Sequence, residues 1–281
     1  MQNEKMKAVG RKTSAVIANG VLILFTLTCI FPVIWLIYSS FKTNSEFAES
    51  IIRLPQHLNL DNYIRVLGGS DMLKYLFNSL RTTAISLVLI VVLGFIIGYF
   101  LSRFTFRGSK LLNLLYTIGL LLPIHAIIVP MYIQFNQFGL TNQWYTLIIP
   151  YVAFGLPIAV FLTSSYVRSV PREMEEAAAL DGCSFSRTLF QIIMPICRPI
   201  LTTVAIIQFF TCWNEFVFAL ILVNDPYMTI PVGMTLFKGQ FTAEYPVMMT
   251  TMVLGMLPAL IIYFAFSKHI INGMVAGAVK G

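Results

Sequence analysis

The chain has 281 residues, 57% of them hydrophobic and only 11% charged, against roughly 25% charged for an ordinary soluble domain. With a mean hydropathy of +0.79, a soluble fold of this length has no interior large enough for its apolar surface, so the composition points to an all-α polytopic membrane protein. The formal charge of +7 does not indicate nucleic acid, because the basic residues are scattered among apolar runs and form no stripe interleaved with exposed aromatics.

Lys5, Lys7, Arg11 and Lys12 precede a long apolar run that ends at Pro32, Trp35 and Tyr38 without a small-residue cleavage site. It reads as a retained first helix rather than a signal peptide. Six runs reach the ~20 residues that a ~30 Å hydrocarbon core requires: 15–38, 77–101, 111–135, 144–167, 200–223 and 247–266. Most of the 19 basic residues then fall on the side of the N-terminus, among them Arg103, Arg107, Lys110, Arg168, Arg172, Arg187, Arg198, Lys268 and Lys280. The positive-inside rule therefore puts both termini in the cytoplasm. Tyr38, Trp144 and Tyr145 on one side, and Tyr99 and Tyr166 on the other, fit aromatic belts.

Three loops lie opposite. Segment 41–75 is long and mixed in charge, and reads as a small folded cap. Segment 136–143 is short and uncharged. Segment 224–246 carries Pro226, Gly233, Gly239 and Pro246, a length often found in functional loops. The third and fourth runs contain Pro123, Pro130, Pro150 and Pro157, each expected to bend its helix toward other helices or a wet cavity.

On the basic side, residues 171–195 form the one long interruption. Pro171 fits a helix start, and Glu173, Glu175 and Glu176 favour the positive end of a helix dipole. Met174, Ala177 and Ala178 fall on one face, where small side chains allow another surface to approach. Asp181-Gly182 supplies a turn. A second helix is expected from Ser184, with Phe185, Leu189 and Ile192 on one side, stopping at Pro195. The plain alternative is an amphipathic connector lying on the membrane surface with no partner.

Other constellations are sparse. Cys29, Cys183, Cys197 and Cys212 form no Cys-x-x-Cys pair and have no histidines nearby, so neither a disulfide framework nor a metal site is indicated. Glu215 is the one acid inside a predicted span, beside Trp213 and Asn214. A charge there is costly. It reads equally as a pathway or gate residue and as a polar clamp between helices, with Arg81 as a partner if the second and fifth spans meet. His125 is expected to be a satisfied core residue. Gln134, Asn136 and Gln137 are expected to cap a helix end.

The spacing Glu176-Ala177-Ala178, Gly182, Ile192, Met194-Pro195 resembles the coupling motif of the membrane subunits of ATP-binding-cassette importers, with Met194 in place of the usual leucine. Arg53-Leu54-Pro55, Asn62-Tyr63, Asn78-Ser79, Trp213-Asn214-Glu215-Phe216 and the tail Gly277–Gly281 are similar to the sugar-importer branch, in particular its maltose-type second permease subunit.

The resemblance implies an assembly of two different permeases, two ATP-binding subunits and an external sugar-binding protein in a bacterial cell membrane. In it the segment from Glu176, Ala177 and Ala178 through Asp181, Gly182 and Pro195 would dock on an ATPase. Lys280 and Gly281 in the tail would also reach the ATPase pair, and the 224–246 loop would touch the binding protein. The expected divisions are a cytoplasmic 1–14, a first helix and outer loop 15–70, a transmembrane core 71–267 containing the coupling loop 171–195, and a tail 268–281. No Gly-x-x-x-x-Gly-Lys-Ser/Thr loop holds a nucleotide phosphate, so the chain is expected to be non-catalytic and to bind no cofactor. The rival reading is a secondary carrier or channel working alone; internal repeats and further intramembrane polar groups, usual in carriers, are lacking.

Overall fold

Helix is the only regular structure among the described residues, as backbone groups in an apolar solvent require. The computed structural model describes residues 2–69, 71–237 and 244–278, with side chains for 16–69, 71–236 and 244–266. Lys238 and Gly239 of the third opposite-side loop, and Lys280 and Gly281 of the tail, lie outside the described residues. Among the described residues, four helices are long and apolar enough to cross a membrane, or six if each of two bent pairs is one span. The chain divides into two units, residues 1–70 with 236–254 and residues 71–235 with 255–281.

In the first unit, helix α1 (Gln2–Ser39) exposes its apolar stretch on every side as far as Ile34. A helix apolar all round needs lipid or other membrane helices about it. Beyond it, α2 (Asn44–Glu49) and α3 (Asp61–Gly69) build the expected cap. Thr43 and Glu46 form a reciprocal capping box at the start of α2, satisfying two donors that a helix leaves free. Lys42 is 1% exposed; its Nζ donates to Ser50 O and Ile51 O at 3.1 and 2.9 Å. Burial pushes its pKa down, against the pull of Glu46. Asn62 Nδ2 donates to Ser40 O and Lys42 O, both at 2.9 Å, and Tyr63 Oη lies 2.7 Å from Ser40 Oγ. These bonds tie the cap to the end of α1.

The second unit is organised on α4 (Met72–Arg103) and α7 (Ile148–Ser169). A Cβ on Gly94 would lie 2.6 Å from Ala159 Cβ, and one on Gly98 2.9 Å from Thr163 Cβ. Two glycines four apart let the backbones approach closely enough for packing alone to hold helices in lipid. Phe95, Tyr99, Val167, Val170, Leu189, Ile193 and Cys197 fill one end of the unit. Ile90, Tyr151, Ala159, Val204, Cys212 and Phe218 belong to the other cluster. Tyr99 is thus 1% exposed and is no part of an aromatic belt.

Two expected spans are broken. The third consists of α5 (Ser109–Gly119) and a segment Ile124–Gln137, bent by 99°; that segment is a 3₁₀ turn at Ile124–Ile127 followed by α6 (Ile128–Gln137). The break precedes Pro123. Pro130 and Pro150 bend nothing, because each sits in the first turn of its helix, where no intrahelical donor is lost. After α7 come α8 (Glu173–Leu180) and α9 (Phe185–Ile196), then α10 (Arg198–Trp213), bent by 74° from α9. The fifth run stops at Trp213 and resumes as α11 (Val217–Leu222). The remaining α-helices among the described residues are α12 (Ile230–Gly233), continued by a 3₁₀ turn at Met234–Phe237, and α13 (Tyr245–Ala278), the latter shared by the two units.

Candidate functional site

Helix α8 ends in a Schellman motif. Cys183 N–H reaches Ala178 O at 2.9 Å, and Gly182 N–H reaches Ala179 O at 3.1 Å. The motif needs a left-handed residue after the cap, and Gly182 has φ +76°. A Cβ built there meets nothing within 4 Å, so the position requires glycine for its conformation and presents open space beyond it. Glu173, Glu175 and Glu176 occupy the first turn, where the helix dipole favours them.

The two sides of α8 are unlike. Ala178 is 4% exposed and Leu180 89%; Met174, Glu176, Ala177, Asp181 and Gly182 are also exposed. The expected common face of Met174, Ala177 and Ala178 is therefore split. Ala178 turns inward because α9 lies beneath it, and the outward surface is instead acidic residues around an unburied leucine.

Glu175 points the other way. Its Oε1 lies 2.6 Å from Arg103 Nε, with side-chain exposures of 20% and 6%. Tyr99 Oη donates to Glu175 Oε2 at 3.0 Å, and Arg103 Nη2 donates to Val170 O at 2.8 Å. Both carboxylate oxygens are bonded, so the pair is buried without stranding its charge. Phe100, Phe104 and Phe185 ring the site, with centroids within 6.2 Å of one another. The end of α4 is thereby clamped to the wedge that α8 and α9 form.

Helix α9 departs from the expected plain helix. Thr188–Ile193 is π-helical, with Met194 N–H bonding to Leu189 O, five residues back. Pro195 explains this: it donates no bond, and its ring crowds the carbonyl four residues before it, a crowding that a wider turn relieves. The extra residue per turn rotates the inward face, so Ile193 is fully buried while Ile192 is only half-buried. Pro195 itself is exposed and lies inside the helical segment.

Trp213, Asn214 and Glu215 mark the break between α10 and α11. Trp213 is 4% exposed; its indole Nε1 donates to Gly255 O at 3.1 Å, and its ring stacks on Phe209. Glu215 Oε1 accepts from Phe218 N–H at 2.7 Å, and Oε2 accepts from Ala219 N–H at 3.1 Å and Tyr151 Oη at 3.0 Å. The carboxylate thus caps α11 and ties it to α7. Arg81 is not its partner; that guanidinium lies over the Phe77 and Trp144 rings instead. A cavity of about 260 Å³ opens beside Glu215 and is lined in part by Asn214, Phe154, Phe216 and His125. His125 is exposed in its 3₁₀ turn rather than in a core, because the chain leaves the helix just before it.

Asn78 and Ser79 anchor the start of the third opposite-side loop. Asn78 Nδ2 donates to Pro226 O and Met228 O at 2.8 and 2.9 Å, and Ile230 N–H donates to Ser79 Oγ at 2.9 Å.

Residues 63–275 match the family described as "Binding-protein-dependent transport system inner membrane component". The trehalose/maltose transport system permease protein MalG of Thermococcus litoralis is 34% identical over 92% of this chain and 94% of its own length. The diacetylchitobiose uptake system permease protein NgcG of Streptomyces coelicolor is 33% identical over 95% of this chain and 89% of its own. In three dimensions the chain resembles one from a bacterial ABC transporter that imports the polysaccharide alginate, with a TM-score of 0.79 at 20% identity, covering 90% of this chain and 95% of the other.

Proposed function

We infer the function from one premise: the chain belongs to the family of binding-protein-dependent transport system inner membrane components. It is a membrane-embedded permease subunit of an ABC importer. From the curated relatives, which carry trehalose or maltose and diacetylchitobiose, we take the solute to be a sugar, delivered by an external sugar-binding protein.

The chain forms half of the pathway, with a second, different permease as the other half. Two ATP-binding subunits supply the energy, and this chain is non-catalytic and carries no cofactor. Both termini lie in the cytoplasm, which puts the α8–α9 wedge on the ATPase side.

One observation carries this reading: α8 has an outward face with no partner among the described residues and an inward face bolted to α4 through Glu175. Docking of Glu176, Ala177, Asp181 and Gly182 in an ATPase cleft would let closure of the ATPase pair pull on α8. The Arg103–Glu175 pair would pass that displacement to α4 and to α7 packed along it. A rigid-body shift between inward- and outward-open states follows. Trp213 and Glu215 act here as clamps that hold α10 and α11, while Asn214 faces the cavity and is the group of the three placed to meet solute.

The test is uptake and ATP hydrolysis by the whole complex in vesicles, with Gly182→Trp in this chain. A side chain there meets open space but puts a β-carbon on the left-handed backbone, so Gly182→Ala serves as the control for that strain. The reading expects Gly182→Trp to lose ATPase retention or uptake beyond the alanine variant while the chain still inserts. Unchanged uptake and assembly would count against docking at α8. Uptake by the purified single chain, driven by an ion gradient and indifferent to ATP, would favour the carrier alternative.

A further inference from the structure

Arg81, near the start of α4, is a cation without a matching anion among the described residues. Its Nη2 makes only two long contacts, 3.3 Å to Asn78 Oδ1 and 3.5 Å to Trp144 O. Its Nε is buried with no partner. No carboxylate lies within ion-pair distance of it among the described residues. Asp71 and Asp225, at the same end of the unit, are both held by Lys74, at 3.4 and 2.7 Å.

Its depth is informative. Arg103, at the other end of the same helix, is 22 residues away, or roughly 33 Å at about 1.5 Å per residue. The hydrocarbon core is about 30 Å thick. Two arginines at that separation bracket the core, which puts Arg81 at the headgroup level remote from the wedge. The guanidinium lies 5.8 Å from the Phe77 ring and 5.7 Å from the Trp144 ring, and these rings are 62% and 48% exposed. From this point toward the middle of α4, Phe77, Leu80, Ala84 and Val88 present an exposed apolar stripe at helical spacing.

We propose that Arg81, Phe77 and Trp144 form a binding site for the phosphodiester of a phospholipid headgroup, with an acyl chain lying along the Leu80–Val88 stripe. The guanidinium fork suits phosphate oxygens, which would meet its Nη end, where both contacts with the protein are long, and not the buried Nε. The rings hold the cation in place by cation–π attraction, and the stripe gives the acyl chain a path from the headgroup level into the core.

The test is native mass spectrometry of the full chain in non-ionic detergent, titrated with dioleoylphosphatidylglycerol, with dioleoylglycerol and with inorganic phosphate. The expected result is one phospholipid bound more tightly than dioleoylglycerol, with free phosphate failing to displace it. Arg81→Gln weakens that binding about fivefold or more, the scale of one basic residue at a lipid surface, while Arg81→Lys keeps part of it. Trp144→Leu weakens it too, and stands in should the glutamine variant not fold. Equal phospholipid affinity in Arg81→Gln or Trp144→Leu overturns the proposal, as does displacement by free phosphate. Loss of a copurifying second permease from Arg81→Gln with lipid binding unchanged also overturns it, in favour of a protein carboxylate.

Discussion

Glu175 Oε1 accepts a hydrogen bond from Arg103 Nε at 2.6 Å, across an interval of 72 residues, and this ion pair is what joins the short helix α8 to the end of α4. Removing one member leaves the other charge buried. Arg103→Met or Glu175→Leu is expected to cost about 3–5 kcal/mol and to lower the thermal midpoint of the purified chain. Replacing both should recover much of the loss. A double variant as unstable as the sum of the singles would mean that the two residues act separately.

The α4–α7 contact depends on missing side chains. A methyl on Gly94 meets Ala159 Cβ at 2.6 Å, and neither group can swing aside. Gly94→Ala is expected to destabilise by about 1–3 kcal/mol, the usual cost of overpacking. Adding Ala159→Gly returns the space and should restore the melting temperature. Failure of that rescue would place the strain elsewhere.

Glu215 is held by two backbone donors and one phenol. Glutamine keeps one acceptor oxygen, so Glu215→Gln strands one of the Phe218 and Ala219 N–H groups, at about 1–3 kcal/mol. Tyr151→Phe is expected to cost less, about 1 kcal/mol. The two should couple in a double-mutant cycle on stability. Additive effects would remove the Tyr151–Glu215 bond from the account.

The cap responds to acid through Glu46. Its carboxylate accepts Thr43 N–H at 2.9 Å and Gln56 N–H at 3.0 Å, and these bonds, the Thr43 bond foremost, hold its pKa below the ordinary 4.5. A carboxyl with a depressed folded-state pKa adds stability above its unfolded pKa and loses it as pH falls through the folded value. Hydrogen-exchange protection of the Thr43 and Gln56 amides, corrected for intrinsic rates, should be constant from neutrality to about pH 5 and fall at lower pH. Glu46→Gln should flatten that dependence. The same acid-induced loss in the glutamine variant would assign it to another group.

Much of the fold was legible because membrane spans are written in composition. The apolar runs, the cap and the Glu176–Pro195 wedge could be placed without coordinates. Where the reading failed, two bonding preferences competed. Proline at 123 reads as a kink from sequence, yet the chain breaks fully before it, while Pro130 and Pro150 fall harmlessly in first turns. The turn at Gly182 is readable from Asp181-Gly182, but the π turn before Pro195 is not, so plain helical spacing points to Ile192 where Ile193 is the buried residue. Glu175 was seen as one of three dipole-friendly acids; its pairing with Arg103 is a contact that no local pattern encodes. Gly94 and Gly98, by contrast, did leave a signal. A Gly-x-x-x-Gly step inside an apolar run marks a close helix contact.

The measurement that bears most directly on the wedge as a force-receiving socket is cysteine crosslinking from Leu180, 89% exposed at its tip. A Leu180→Cys chain in membranes that hold the whole transporter should give, with a short bifunctional reagent, an adduct whose second component is an ATP-binding polypeptide, and nucleotide should change its yield. An assembled, ATP-hydrolysing transporter in which that cysteine reacts only with lipid-borne reagent would contradict the account.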